Sequence, residues 1–158
     1  MGYRTDFEGQ IEITPPLNAA EIEYLAVFSE TRHMHRKQGK YFVDFENTFN
    51  TTEVGVYDYN QPPPGQPQLW CNFTPTEDGT ALVWNGCEKT YGAKEWIKYI
   101  INHFLKPNAL ASKSKLPYFT EFTFDHICNG ELIAQGERLS DRWLLIVKDN
   151  VVSTKTLK

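Results

Sequence analysis

The chain has 158 residues, 41% of them hydrophobic and 14% aromatic, which suits one folded domain with an aromatic core and excludes a disordered chain. A net charge of −4, with acids interleaved among Lys and Arg, argues against a nucleic-acid binder, whose phosphate contacts need a basic excess, and against a dense acidic DNA mimic. No apolar run is long enough for a membrane helix, Met1 to Glu12 has no apolar leader core, and Cys71, Cys87 and Cys128 are too widely spaced for a disulfide framework, so a cytoplasmic protein with reduced thiols is expected (host-cell cytoplasm, if a phage encodes it).

The first strand is predicted over Phe7 to Thr14, where Ile11 and Ile13 alternate with Gln10 and Glu12. Pro15-Pro16 stops it. A helix follows. Asn18 is its N-cap, Glu21 completes a capping box, and Leu17 with Ile22 forms a hydrophobic staple. Ile22, Leu25 and Phe28 give its apolar face, and its end is expected near Arg32. Residues 33–67 read as an irregular surface excursion, with a short strand at Tyr41-Phe42-Val43, a loop at Asn47 to Thr52, and a stiff proline-rich stretch from Gln61 to Pro67.

A hairpin is predicted next. Leu69, Cys71 and Phe73 alternate with Trp70 and Asn72, Asp78-Gly79 marks the turn, and Thr80 to Trp84 returns. Trp96, Ile97, Ile100, Ile101 and Phe104 recur at helical spacing over Ala93 to Leu105, and Lys106-Pro107 ends that helix. Ala109 to Lys115 reads as a polar linker and Tyr118 to Phe124 as an added strand. Gly130 to Gly136 and Arg142 to Lys148 form a last hairpin, with a short strand over Val151 to Thr156. The order β-α-β-β-α-β-β predicts a single α+β domain over 1–158. Its form is a ferredoxin-like antiparallel sheet with both helices on one face and an extra C-terminal strand.

Gly2-Tyr3-Arg4 through Pro15-Pro16-Leu17-Asn18, Tyr59 through Cys71, Thr76 through Ala81, and Asn129-Gly130-Glu131 through Val152 resemble a family of small proteins encoded by phages and bacteria. A looser similarity is to the phage Api92-like proteins with a ferredoxin-like domain. The resemblance implies that fold and a mobile-element origin. It implies no activity and transfers no catalytic residue.

His33 and His35 are two residues apart but lack a close cysteine pair, so a solvated basic helix end is expected rather than a zinc site. In a strand, His126 and Cys128 would share one face, opposite Asp125 and Ile127. Nothing in the sequence supplies an oxyanion hole, so Cys128 reads as core. Glu131, Glu137 and Asp141 read as an outer strand face and a hairpin tip. Glu88-Lys89-Thr90-Tyr91-Gly92 leads into the second helix start, where Lys89 and Tyr91 could assist an anion, although no Gly-rich phosphate loop is present.

The expectation is a non-catalytic interaction protein that binds a protein partner, in a phage–host conflict such as inhibition of a bacterial defence system. The setting comes from the resemblance alone. The alternative is a protein that binds or sequesters a nucleotide-like small ligand, or an enzyme acting on one. Candidate binding residues are Arg32, Tyr57, Tyr59, Asn60, Trp70, Lys89 and Tyr91. No cofactor or metal is expected, no membrane association is expected, and RNA or single-stranded DNA on the open sheet is disfavoured by charge.

Overall fold

The computed structural model describes residues 2–45 and 55–157. Strand β1 (Thr5–Thr14) buries Phe7, Ile11 and Ile13 and exposes Glu8, Gln10 and Glu12, as its alternation requires. Helix α1 (Ala19–Glu30) starts at the expected box: the Glu21 N–H donates to Asn18 Oδ1 at 2.9 Å, and the Asn18 N–H donates to Glu21 Oε1 at 2.8 Å. The helix stops at Thr31, whose hydroxyl donates to Val27 O at 2.8 Å.

The stretch after α1 is irregular but only partly on the surface. His33, Met34, Arg36, Tyr41, Val43 and Gln66 are all buried. Tyr41 to Val43 is not a strand, and its two buried side chains join the main core from irregular backbone. The regular pairing lies elsewhere, in a small ribbon of β2 (His35–Arg36) and β3 (Val56–Asp58). The loop expected at Asn47 to Thr52 lies outside the described residues.

Strands β4 (Phe73–Pro75) and β5 (Ala81–Trp84) form the predicted hairpin, but it is shorter than its alternation suggested. Asn72, at φ 65°, is left-handed and breaks the run that Leu69 to Phe73 would have made. Helix α2 (Ala93–Ile100) widens into a π-helical turn over Ile101–Leu105. Trp96, Ile97 and Phe104 are 0% exposed and Ile100 1%. The segment read as a polar linker buries Ala109 and Ala111. Tyr118 to Phe124 is not a strand: a short 3-10 turn, Pro117–Phe119, folds Phe119 and Phe122 against Tyr24, with ring centroids 5.2 and 5.6 Å away. Aromatic content without strict alternation is satisfied there by a turn, which needs no ladder partner.

Strands β6 (Ile127–Gly136), β7 (Arg142–Lys148) and β8 (Val151–Thr156) complete one six-stranded antiparallel sheet of order β4-β5-β1-β6-β7-β8. The four strands β4-β5-β1-β6, joined through α1 and α2, make the ferredoxin-like arrangement, and β7 and β8 extend it at the C-terminal edge. Both helices cover one face. Phe28 of α1 meets Trp96 of α2 at 5.7 Å, over a core that includes Ile11, Leu132 and Leu145. The other face exposes Glu8, Gln10, Glu12 and Glu131 and, among the described residues, carries no aromatic side chain. Among the described residues no helix is long and apolar enough to cross a membrane.

Candidate functional site

A cleft of about 670 Å³ lies between the segment entering β4 and the β5–α2 connection, lined by Gln68, Leu69, Trp70, Asn72, Cys87, Lys89 and Tyr91. The sequence singled out three of these, Trp70, Lys89 and Tyr91, from two separate stretches, and the fold brings them together. Trp70 is 41% exposed and Tyr91 43%, so aromatic surface faces solvent at the rim. Tyr91 is held by the N-terminal segment, whose Tyr3 N–H donates to the Tyr91 hydroxyl at 3.1 Å. Glu88 turns away to Arg4, at 3.2 Å, so the cleft lining has one ionic group, Lys89.

Arg32 joins this cleft to the proline-rich loop. Its guanidinium sits 5.9 Å from the Trp70 ring centroid and donates to Tyr59 O at 3.3 and 3.0 Å and to Asn60 Oδ1 at 3.4 Å. Four candidates, Arg32, Tyr59, Asn60 and Trp70, are therefore contiguous. Tyr57 is separate. It stands 66% exposed on β3 with its ring 5.1 Å from His35.

Sequence reasoning missed Asn72, which read as an outward strand residue. It is 5% exposed, its Oδ1 accepts from Asn85 Nδ2 at 3.2 Å, and its Nδ2 has no partner among the described residues. The tolerance of Asn for left-handed backbone was the available signal, but period-2 alternation masked it. Leu69, Gln68 and Cys87 carry no distinguishing pattern.

The Cys–His idea fails on geometry. His126 and Cys128 do share the buried side, but His126 Nε2 donates to Glu21 Oε2 at 2.8 Å and Nδ1 donates to Pro15 O at 2.6 Å. With both ring nitrogens donating, the imidazole is protonated and has no lone pair for a thiol. Burial pushes the Cys128 thiol up to about 12. For His126, burial acts downward, but Glu21, Pro15 and Asp125 outweigh it and the net shift is upward. For Glu21, burial acts upward, but bonds from His126, Asn18 and Thr123 outweigh it and the net shift is downward. Glu21 and His126 are 0% and 1% exposed, so this is a buried ion pair tying α1 to the entry of β6. The sequence showed Glu21 only as a cap.

The histidines after α1 do not form the expected solvated end. His33 is buried beside Phe28 and Trp96, donates to Phe28 O at 2.8 Å, and is pushed down by burial to about 4. It is neutral and already committed. A second pair, unsuspected from sequence, is Tyr41 and His103: the hydroxyl and Nδ1 share a hydrogen bond of 2.6 Å while Tyr99 stacks on the imidazole at 3.8 Å. Burial holds His103 near 4 and raises Tyr41 to about 12, which leaves both neutral at pH 7. Glu137 and Asp141 bind the N-terminal segment, accepting from the Arg4 N–H at 2.8 Å and the Tyr3 hydroxyl at 2.6 Å. Among the described residues no three His, Cys, Asp or Glu side chains are grouped to hold a metal ion.

Compared with known proteins, the chain matches no family model, no curated protein and no solved structure.

Proposed function

We propose that the chain is a non-catalytic interaction protein that binds a protein partner through the Trp70 cleft and the strip leading from it. One observation carries this reading: Arg32 links Trp70, in the cleft wall, to Tyr59 and Asn60, the residues that lead into the proline-rich segment. A strip of that length suits an extended contact with a macromolecule. Exposed tyrosine and tryptophan beside an arginine match the composition of interface hot spots. The sequence resemblance suggests a phage–host setting, with the partner a component of a bacterial defence system. The second reading, a nucleotide-like small ligand, draws on the cleft volume, which falls within the usual range for small-molecule sites.

The test is capture from bacterial lysate followed by a binding measurement with the purified partner. Trp70→Ala, and the double change Tyr57→Ala with Tyr59→Ala, should each weaken binding by more than about 1 kcal/mol, with melting temperatures retained. The Arg32 bonds go to the Tyr59 carbonyl, so they survive loss of that side chain. Unchanged affinity in both variants would put the interface on another surface.

A further inference from the structure

We infer that the Trp70 cleft takes an aromatic–acidic segment of the protein partner: an aromatic ring against Trp70 and Tyr91, an oxygen acceptor on Asn72 Nδ2, and a carboxylate on Lys89. This rests on the partner-binding reading and adds the chemistry of the occupant.

The first support is Asn72 itself. Its left-handed backbone interrupts a strand, and it is held there by its N–H on Ser29 O at 3.3 Å and its C=O accepting the Asn85 N–H at 3.0 Å. The side chain is buried in the cleft wall with Oδ1 satisfied and Nδ2 orphaned. Folded chains rarely leave a buried donor unpaired, because it forfeits its bonds to water. An incoming carbonyl or carboxylate oxygen meets that need, and a second donor does not.

The second support is charge. The chain is acidic overall, at −4, yet the cleft lining contains a lone cation and no acid. Among the described residues Lys89 makes no ion pair, and the neighbouring Glu88 is engaged by Arg4. The complementary occupant is anionic. The third is shape: Leu69, Trp70 and Tyr91 give apolar wall, which suits a planar ring next to that charge.

The probes are three blocked tetrapeptides whose central pairs are phenylalanine–aspartate, phenylalanine–lysine and alanine–aspartate. Each is titrated to about 10 mM, a range that detects weak fragments, while amide and indole NMR signals are followed. The phenylalanine–aspartate peptide should shift the Asn72 side-chain and Trp70 indole signals. It should bind about tenfold more tightly than either control, by the energy scale of one lost contact. Lys89→Glu, a surface change, should reverse the order of the aspartate and lysine peptides. Asn72→Gly keeps the left-handed backbone, since glycine accepts it freely, and should weaken the phenylalanine–aspartate peptide about fivefold, the loss of one hydrogen bond. No shift at Asn72 and Trp70, or an order unchanged by Lys89→Glu, overturns the inference. So does adenosine monophosphate binding there more tightly than every peptide. If the peptides fail while Trp70→Ala still abolishes partner capture, only the occupant is wrong. If Trp70→Ala leaves capture intact, the partner-binding reading falls as well.

Discussion

Replacing Glu21 by Gln tests the buried ion pair with almost no change in shape. Glutamine keeps an oxygen for the Asn18 N–H, so the capping box survives. Its amide nitrogen, however, meets His126 Nε2 where the carboxylate stood, at 2.8 Å, and two donors cannot share that space. The imidazole must then lose a proton, keeping Nδ1–H on Pro15 O and accepting from the glutamine with Nε2. This repair limits the cost to about 1–3 kcal/mol, the scale of a bond to a charged group. Glu21→Ala has no such repair: the Asn18 Oδ1 bond to the backbone N–H survives, but the reciprocal bond from the Asn18 N–H is lost and His126 Nε2 is left buried without its acceptor, for about 3–5 kcal/mol. For a chain of this size each kcal/mol lowers the melting temperature by about 2–4 °C.

The pH dependence has a definite sign. Glu21 is lowered from 4.5, so its contribution is present above that value and is lost as pH falls through the folded pKa. His126 is raised from 6.5, so its contribution is complete below 6.5 and is lost as pH rises through its higher folded pKa. The pair therefore stabilises most between 4.5 and 6.5 and less on either side. Urea melts of wild type and Glu21→Gln at pH values from about 4 to 9 measure this. Wild type should lose stability above neutrality, and Glu21→Gln should lose less of it. Parallel curves for the two proteins would refute the ion pair as the origin of the slope.

Three further outcomes are expected. Ile100→Ala should cost about 2–5 kcal/mol in denaturant melts, because its side chain is 1% exposed at the centre of the helix–sheet core. Under native conditions a thiol reagent should modify Cys87 alone, since Cys71 and Cys128 are buried with thiols pushed up to about 12, and occupancy of the cleft should slow that reaction. Gly130→Ala should destabilise by about 1–3 kcal/mol, because φ is 153° there and an added methyl would lie 2.5 Å from Gln10 O across the β1–β6 pairing. A melt matching wild type would show that the two strands can separate at that point.

Much of the frame was legible because it follows from local rules. Alternation at Ile11 and Ile13 gave β1 and its buried face, Asn18 with Glu21 gave the start of α1, and the spacing from Trp96 to Phe104 gave the buried side of α2. Each depends on residues within a turn or two of one another, so a sequence window contains the whole cause. Trp70, Lys89 and Tyr91 were also legible, but only as residue types. Their meeting in one cleft depends on the β4–β5 hairpin returning the chain beside the segment that enters β4. Only the tertiary structure decided the rest. Phe119 and Phe122 were read as strand because their partner, Tyr24, lies far off in sequence. Asn72 was read as an ordinary outward residue because its left-handed turn is fixed by Ser29 and Asn85, neither of them a neighbour. Glu21 announced its cap three residues away, but gave no sign of His126 at 105 residues' separation. Burial and charge pairing are properties of what the folded chain brings close, and no local pattern carries them.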